Sequence, residues 1–396
     1  MRGEEKTARH QWTVLVLCAL AVLASSFDGA VLFLALPAVS TQFRASFGSL
    51  ADLGSLLALG SLGALPMGAL ADQNGRRRLI AIGVAGFSVA NVLSGYATGL
   101  TNLGVARLFA VCFEAAVASI ATVLVVEEVP ARRRGLAVSV LTIAAGAGTF
   151  VTTVAYPLVA PDWRVLYWAG GLGLPVAAAL WWLLPEGRTW SAAPSEKAVE
   201  ALGLVWSRPW RRRLLTLAGW SLLSAALLEP AGLFVALYGS RALGLPPLEI
   251  SAVVWVSGVA GVLCYPLGGW LSDRFGRRVL GSGLAAGTSV FAGGAFVGGA
   301  PAYWAGNILW SGLASADTPV LGAWFAEVFP TRARATGDAV ASVAAALGGV
   351  GGLQLAAFLE PRLGVGPALA LTAPIAFAGA LLLLALPETR SRPLPD

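Results

Sequence analysis

The sequence predicts an all-α membrane protein: twelve transmembrane helices in two pseudo-symmetric six-helix bundles. Three observations predict it. Of the 396 residues, 57% are hydrophobic and only 12% are charged, about half the ~25% that a soluble domain carries. Twelve apolar stretches approach or exceed the roughly 20 residues that a spanning helix needs. And the pattern PMGALADQNGRRR, from Pro66 to Arg78, returns as PLGGWLSDRFGRR, from Pro266 to Arg278. Aligning Asp72 with Asp273 and Gly75 with Gly276 shifts the chain by 201 residues, and aligning Pro185-Glu186 with Pro387-Glu388 shifts it by 202. Two independent landmarks agree on one period, so the chain reads as two homologous halves.

The spans follow in order. The first, near 12–38, carries Asp28 in FDGAVLFLALP. It is longer than the apolar core of a signal peptide and should stay in the mature protein. The second (50–71) ends at Asp72, and the third (79–98) begins after the turn Gly75 to Arg78. The fourth (103–126) opens with Arg107 in ARLFAVCFEAAVAS, carries Glu114 and ends at Glu127 and Glu128. Arg134 opens the fifth (135–160), where Gly146-Ala147-Gly148 permits close packing, and the sixth is near 164–184. Residues 1–187 thus make a first bundle and 188–213 a polar cytoplasmic linker, in which 195–205 reads as a short amphipathic helix. The second bundle, 214–396, has spans near 214–240 with Glu229, 249–271 ending at Asp273, 279–299, 303–326 with Asp317, 337–359 with the run Gly348 to Gly352, and 366–386.

The net charge of +6 does not mark a nucleic-acid surface, because the basic residues sort by side of the membrane instead of gathering on one face. Arg76, Arg77, Arg78, Arg132, Arg133, Arg134, Arg188, Lys197, Arg208, Arg211, Arg212, Arg213, Arg274, Arg277, Arg278, Arg332, Arg334, Arg390 and Arg392 fall in alternate loops. Arg44, Arg164, Arg241 and Arg362 fall in the others. The positive-inside bias therefore places both termini in the cytoplasm, as in a multi-pass protein of a bacterial inner membrane. Cys18, Cys112 and Cys264 lie inside spans without paired spacing, which indicates neither disulfides nor zinc. The one histidine, His10, is read as part of the N-terminal tail, and no nucleophile with a base, metal cluster or phosphate loop is visible. An enzyme, a metal and a cofactor are not expected, and no obligate protein partner is evident.

Gly68, Asp72, Gly75 and the arginines after them resemble the loop signature between the second and third helices of the major facilitator superfamily. Further motifs are similar to its sugar porter branch, which also includes organic ion and aromatic acid transporters. Asp162 to Trp190 resembles that branch's WR start and PESPRW close, Ala326 to Gly337 (AEVFPTRARATG) its SEIFPxxxRxxG, and Pro387 to Arg390 its PETKG. Asp28 and Arg107 resemble the branch's proton-coupling acid and its arginine partner. The resemblance implies secondary active transport of a small solute, with protons and the lipid bilayer as partners, by rocking of the two bundles about a midplane cavity.

Four acids lie near membrane depth, Asp28, Glu114, Glu229 and Asp317, with one base, Arg107. A charged group at a helix centre costs about 2.5–3.5 kcal/mol on insertion scales, so such residues face a cavity or each other. Asp28 with Arg107 is the expected proton-coupling pair, and Glu114, Glu229 and Asp317 are candidates for substrate binding. Four acids against one base suggest a cationic or amine-bearing solute, with Trp220, Phe234, Tyr238, Trp255 and Trp310 as possible cation-π faces. A sugar is disfavoured because LEPAGLF, Leu228 to Phe234, replaces the branch's QxxSGIN. The alternatives are drug export by proton antiport, weakened by the lack of GPxxGG in the fifth span, carboxylate uptake using Arg107, and, remotely, a receptor that does not transport. Asp72, Gly75, Arg76, Glu128, Arg134, Asp273, Gly276, Arg277, Glu327 and Arg334 gather at the inner ends of the spans as an expected charge lock that gates them.

Overall fold

Each predicted span becomes a helix in the computed structural model, which describes residues 2–129, 133–160, 162–185, 203–204, 206–329 and 334–390. The first six helices are α1 (Arg2–Gln42), α2 (Phe47–Gly60 and Ala64–Asn74, joined through a 3-10 turn at Ser61–Gly63), α3 (Arg76–Gly95), α4 (Leu100–Glu128), α5 (Arg134–Val159) and α6 (Arg164–Ala169 and Gly173–Leu183, joined through Gly170–Leu172). The other six are α7 (Arg208–Arg241), α8 (Pro247–Phe275), α9 (Arg277–Gly294), α10 (Gly299–Val328), α11 (Arg334–Leu363) and α12 (Val365–Ala370 and Ala373–Leu382, closed by Leu383–Ala385). Ten of the twelve are long and apolar enough by themselves to cross a bilayer. The two that are not, α9 and α10, are rich in Gly and Ser, and α10 also carries Asn307 and Asp317.

Two helices extend beyond the predicted ends. α1 starts at Arg2, so His10 lies on a helix and not in a loose tail. α7 starts at Arg208, so Arg211 to Arg213, read as linker, form its first turns. Arginine has good helix propensity, and its long stem lets the charge reach water from a helix end. The amphipathic helix expected near 195–205 falls outside the described residues except for Gly203 and Leu204.

The chain divides into two compact units. One holds α1, α3 to α6 and α2 from Leu59 onward. The other holds α7 to α12 together with Ser46–Ala58, the first part of α2. In the first unit α1 packs on α5 and α4, and α3 on α4 and α6. Val14, Cys18 and Ala21 meet Ile80, Val84 and Phe87 of α3 and Val117, Ile120 and Leu124 of α4 in one buried cluster. Gly148 lies on the carbonyl of Leu23 and the amide of Phe27 with no room for a Cβ, and Thr152 Oγ1 donates to the Phe27 carbonyl at 2.8 Å.

The second unit repeats this plan. α7 packs on α11, α9 on α10 and α12, and α8 on α10. Gly348 and Gly352 lie directly on the carbonyls of Leu222 and Ala226. In both units, then, the crossing of the first and fifth helices is built on glycine, where van der Waals contact between backbones replaces the hydrophobic drive that lipid cannot supply. The outer part of α2 belongs here through Phe47, whose ring centroid is 4.3 Å from that of Phe234. Gln354 Nε2 also donates to Asp52 Oδ1 at 2.9 Å and to Ser55 Oγ at 3.0 Å. Large apolar side chains such as Leu158 (80% exposed), Trp182 (77%) and Val262 (69%) point outward, as a surface solvated by lipid requires.

The repeat survives at the level of single dihedral angles. Gly75 and Gly276, aligned by the sequence, end α2 and α8 with φ of 92° and 91°, a region closed to most L-residues. Gly276→Ala should lower the thermal midpoint of the purified protein by an amount equivalent to about 1–3 kcal/mol of backbone strain, because the added Cβ would also sit 2.7 Å from Glu388 Oε2. Gly283→Ala on α9, where a Cβ meets open space, should change little. Equal midpoints for the two variants would contradict the turn's special geometry.

Candidate functional site

The site is built on α4. Arg107 and Glu114 are seven residues apart, two helical turns, so they share one face. That face meets α1, where Asp28 is fully buried (0% exposed), and α3, where Asn91 is 1% exposed. Arg107 itself is 1% exposed. Its Nη1 donates to Asp28 Oδ1 at 2.6 Å and to Asn91 Oδ1 at 2.7 Å, and its Nη2 donates to Glu114 Oε1 at 3.2 Å. The ring of Tyr167 on α6 lies 5.4 Å from the guanidinium carbon, within cation-π range. Ser25 Oγ adds a long bond to the Glu114 carbonyl at 3.4 Å. Gly170, in the break of α6, makes room for this arrangement, since a Cβ there would lie 2.7 Å from Asn91 Nδ2.

One guanidinium thus serves two carboxylates and an amide in a space that excludes water. Charge counting defines its chemistry. With both acids ionised the trio carries a net negative charge, and one proton makes it neutral. Asp28 Oδ2 has no hydrogen-bond donor among the described residues. An ionised carboxylate can only accept, so the two acids can bond to each other only when they hold a proton between them. Access is unequal: the Glu114 side chain is 11% exposed, whereas those of Asp28 and Arg107 are 0% and 1% exposed. Glu114 is therefore the member of the cluster that faces out of it.

The structure brings Asp28 and Arg107, expected as a proton-coupling pair, and Glu114, expected as a substrate candidate, into one cluster. Asn91 and Tyr167 belong to the cluster and were not singled out from sequence. A lone amide in the apolar run GFSVANVLSG was the available signal for the first, while Tyr167, four residues after a loop, reads like an interfacial aromatic.

Glu229 and Asp317 lie in the second unit. Glu229 is exposed, with its Cγ against Gly349 of α11. Asp317 is buried, and its Oδ1 has no partner. The aromatic candidates mostly engage neighbours. Phe234 packs on Phe47, and Trp220 sits edge-on to Phe325. The Tyr238 hydroxyl donates to the Phe296 carbonyl at 2.9 Å, and Trp310 Nε1 donates to Asn307 Oδ1 at 3.1 Å. Trp255 is half-buried on α8.

The inner-end charges form a set in each half. In the first, Arg76 pairs with Glu127 and Arg77 donates to the Trp181 carbonyl. His10 Nε2 lies 2.9 Å from Glu128 Oε2, tying α1 to the end of α4. The side chains of Asp72 and Arg134 lie outside the described residues. In the second half, Arg277 bridges Asp273 at 3.3 Å and Glu327 at 2.7 Å, and Arg334 Nε donates to the Phe329 carbonyl at 3.2 Å. Glu327 also accepts from the Thr389 hydroxyl at 2.6 Å. Glu388 closes the set. Its carboxylate accepts the backbone N–H groups of Arg277 and Arg278, at 3.1 and 3.0 Å, and those of Thr389 and Arg390, at 3.0 and 2.9 Å. It thereby caps the first turn of α9, where the helix presents unpaired donors.

The family model of the Major Facilitator Superfamily matches residues 18–239 and again residues 231–396. A gallate transporter of Pseudomonas putida is 33% identical over 213 residues, 51% of this chain and 46% of that one. The match thus spans about half the length of that relative. A cis,cis-muconate transport protein of Acinetobacter baylyi is 26% identical over 297 residues, 71% of each chain. Among solved structures, the inward-open conformation of the xylose transporter XylE from E. coli matches with a TM-score of 0.77 at 17% identity, over 96% of this chain and 97% of that one. This last likeness is one of fold.

Removing the guanidinium would leave two buried carboxylates without a counter-charge, a change worth about 3–5 kcal/mol for a buried pair. Arg107→Gln should therefore lower the thermal midpoint far more than Arg107→Lys, which keeps the charge but not the fork. An Arg107→Gln protein as stable as the parent would contradict the account. For Glu388, burial pushes the carboxyl up, but the four backbone N–H groups outweigh it and hold it below its ordinary value of 4.5. A group held lower in the folded state stabilises fully above its unfolded value and loses that contribution as pH falls through the folded one. Thermal stability should therefore show an acid loss below pH 4.5 that is smaller in Glu388→Gln. An identical acid limb in both proteins would show that the cap contributes nothing.

Proposed function

The chain belongs to the Major Facilitator Superfamily, a multi-pass secondary transporter and not an enzyme, and from that premise we propose that it carries a small carboxylate across the membrane together with a proton, by alternating access. The observation that carries this reading is the sharing of Arg107 between Asp28 and Glu114. An anionic solute needs a cation at membrane depth, and the one available guanidinium is occupied while both acids are charged. A proton on the Asp28–Glu114 pair neutralises the cluster and releases part of the fork, so that Arg107 can offer donors to a solute carboxylate, a partner that it recognises well. Glu114, the outward-facing member, receives the proton, and Asp28 holds the guanidinium in place. Proton and solute thereby depend on each other.

Two relatives named for gallate and cis,cis-muconate, both carboxylates, support an anionic solute. The expectation of a cationic or amine-bearing solute treated all four acids as a free negative field. Two of them are engaged by Arg107, which removes the main argument for a cation. We further assign both termini to the cytoplasm of a bacterial inner membrane, on the distribution of arginines. We assign a gating role to the inner-end charges of each half, Arg76–Glu127 in the first and Arg277–Asp273–Glu327 in the second, together with Gly75, Gly276, Glu128 and Arg334.

Uptake into proteoliposomes tests this reading with gallate, cis,cis-muconate and choline as solutes. An acid exterior should drive accumulation of an acid and not of choline. With one proton per monoanion the cycle moves no net charge, so one pH unit should sustain about tenfold accumulation and an imposed membrane potential should add nothing. Accumulation of choline alone would contradict the carboxylate assignment. Asp28→Asn and Glu114→Gln should each abolish gradient-driven uptake of the acid while leaving exchange of labelled for unlabelled solute measurable. Undiminished gradient-driven uptake in both variants would remove the coupling role.

A further inference from the structure

We propose that the inner end of α7 is a binding site for the phosphate headgroup of an anionic membrane lipid. Arg208, Arg211 and Leu215, and Arg208, Arg212 and Thr216, form two rows spaced by three and four residues, which places all five along one stripe of the helix. Together with Leu382 of α12 they line a cavity of about 360 Å³. The three arginines are exposed, and among the described residues none has a carboxylate in salt-bridge contact. The next arginine is used differently: Arg213 turns inward, donates to the Val328 carbonyl at 2.8 Å and lies 4.8 Å from the Trp210 ring. One arginine of the run is therefore structural, while the other three guanidiniums line the cavity without a carboxylate partner among the described residues.

The apolar half of the cavity indicates what kind of anion fits. Leu215 is 53% exposed and lies one turn deeper than Arg211, and Leu382 beside it is 40% exposed. A soluble phosphate or a nucleotide would leave this floor unused. A phospholipid would use both parts, with its phosphate among the guanidiniums and its acyl chain along Leu215 and Leu382. Trp206, two residues before Arg208 and 48% exposed, is a residue type that favours the headgroup zone. The charge bias that places this end of α7 on the inner side also places it at the leaflet where basic segments attract anionic lipids. The site is separate from the Arg107 cluster and uses none of its residues.

Native mass spectrometry of the protein released from nanodiscs tests the proposal, with phosphatidylglycerol and phosphatidylcholine in equal amounts. Phosphatidylglycerol should remain bound preferentially. R211Q/R212Q should weaken its retention about thirtyfold, at the energy typical of basic residues near an anionic leaflet. R211K/R212K should keep most of it, and R362Q, at the other end of the molecule, should behave like the parent. Monodispersity on size-exclusion chromatography checks that each variant is folded. Equal retention of the two lipids, parent-like retention in R211Q/R212Q, or equal loss in the lysine variant would overturn the assignment. So would complete displacement of the lipid by millimolar glycerol phosphate, which would make the site one for a soluble anion.

Discussion

A single guanidinium, removed from water and shared between two carboxylates, is the constraint on which the first half of this protein depends. Desolvating such groups costs several kcal/mol per ion unless partners replace the lost water. Arg107 finds four: Asp28 on α1, Asn91 on α3, Glu114 on its own helix, and the face of Tyr167 on α6. Four helices are thereby held to one point by a group that cannot relax without them. The small residues around it follow from that demand. Gly148 allows α5 to press on α1 one turn from Asp28, and Gly170 gives Asn91 its space. The strain of burying charge and the tightness of glycine packing are two sides of one design.

The second half keeps the frame but, among the described residues, has no buried guanidinium–carboxylate cluster. Gly348 and Gly352 repeat the crossing of first and fifth helices, and the turns at Gly75 and Gly276 have matching dihedral angles. Among the described residues no arginine pairs with Glu229 or Asp317, while Asn307 is satisfied by local bonds to Tyr303 and Trp310. The most developed polar network of the second half among the described residues is the one where Glu388 and Glu327 hold the start of α9.

The twelve helices and the repeat were legible because lipid imposes a simple rule on composition and length. The pair Asp28–Arg107 was legible because charge inside an apolar run is costly and therefore purposeful. Glu114 could have been added by its spacing of two turns from Arg107, but spacing on one helix does not say which neighbouring helix will fill the gap between. Asn91 and Tyr167 depend on the break in α6, which nothing in the local sequence announces. The expectation of a cationic solute rested on arithmetic over all four acids. Charges that satisfy each other cease to count as a field, and which ones do so is a matter of tertiary contact. His10 was misplaced because α1 continues through the polar segment before the span and carries it to Glu128.

The central claim is that proton and solute meet on the same three side chains. Calorimetric titration of the purified protein with gallate or cis,cis-muconate, repeated in buffers of different ionisation enthalpy, counts the protons taken up on binding. The account predicts uptake of about one proton per solute near neutral pH, lost when Asp28 and Glu114 are both replaced by their amides, since one proton converts the charged trio to a neutral one. Binding with no proton uptake, or with uptake unchanged in the doubly substituted protein, would contradict it.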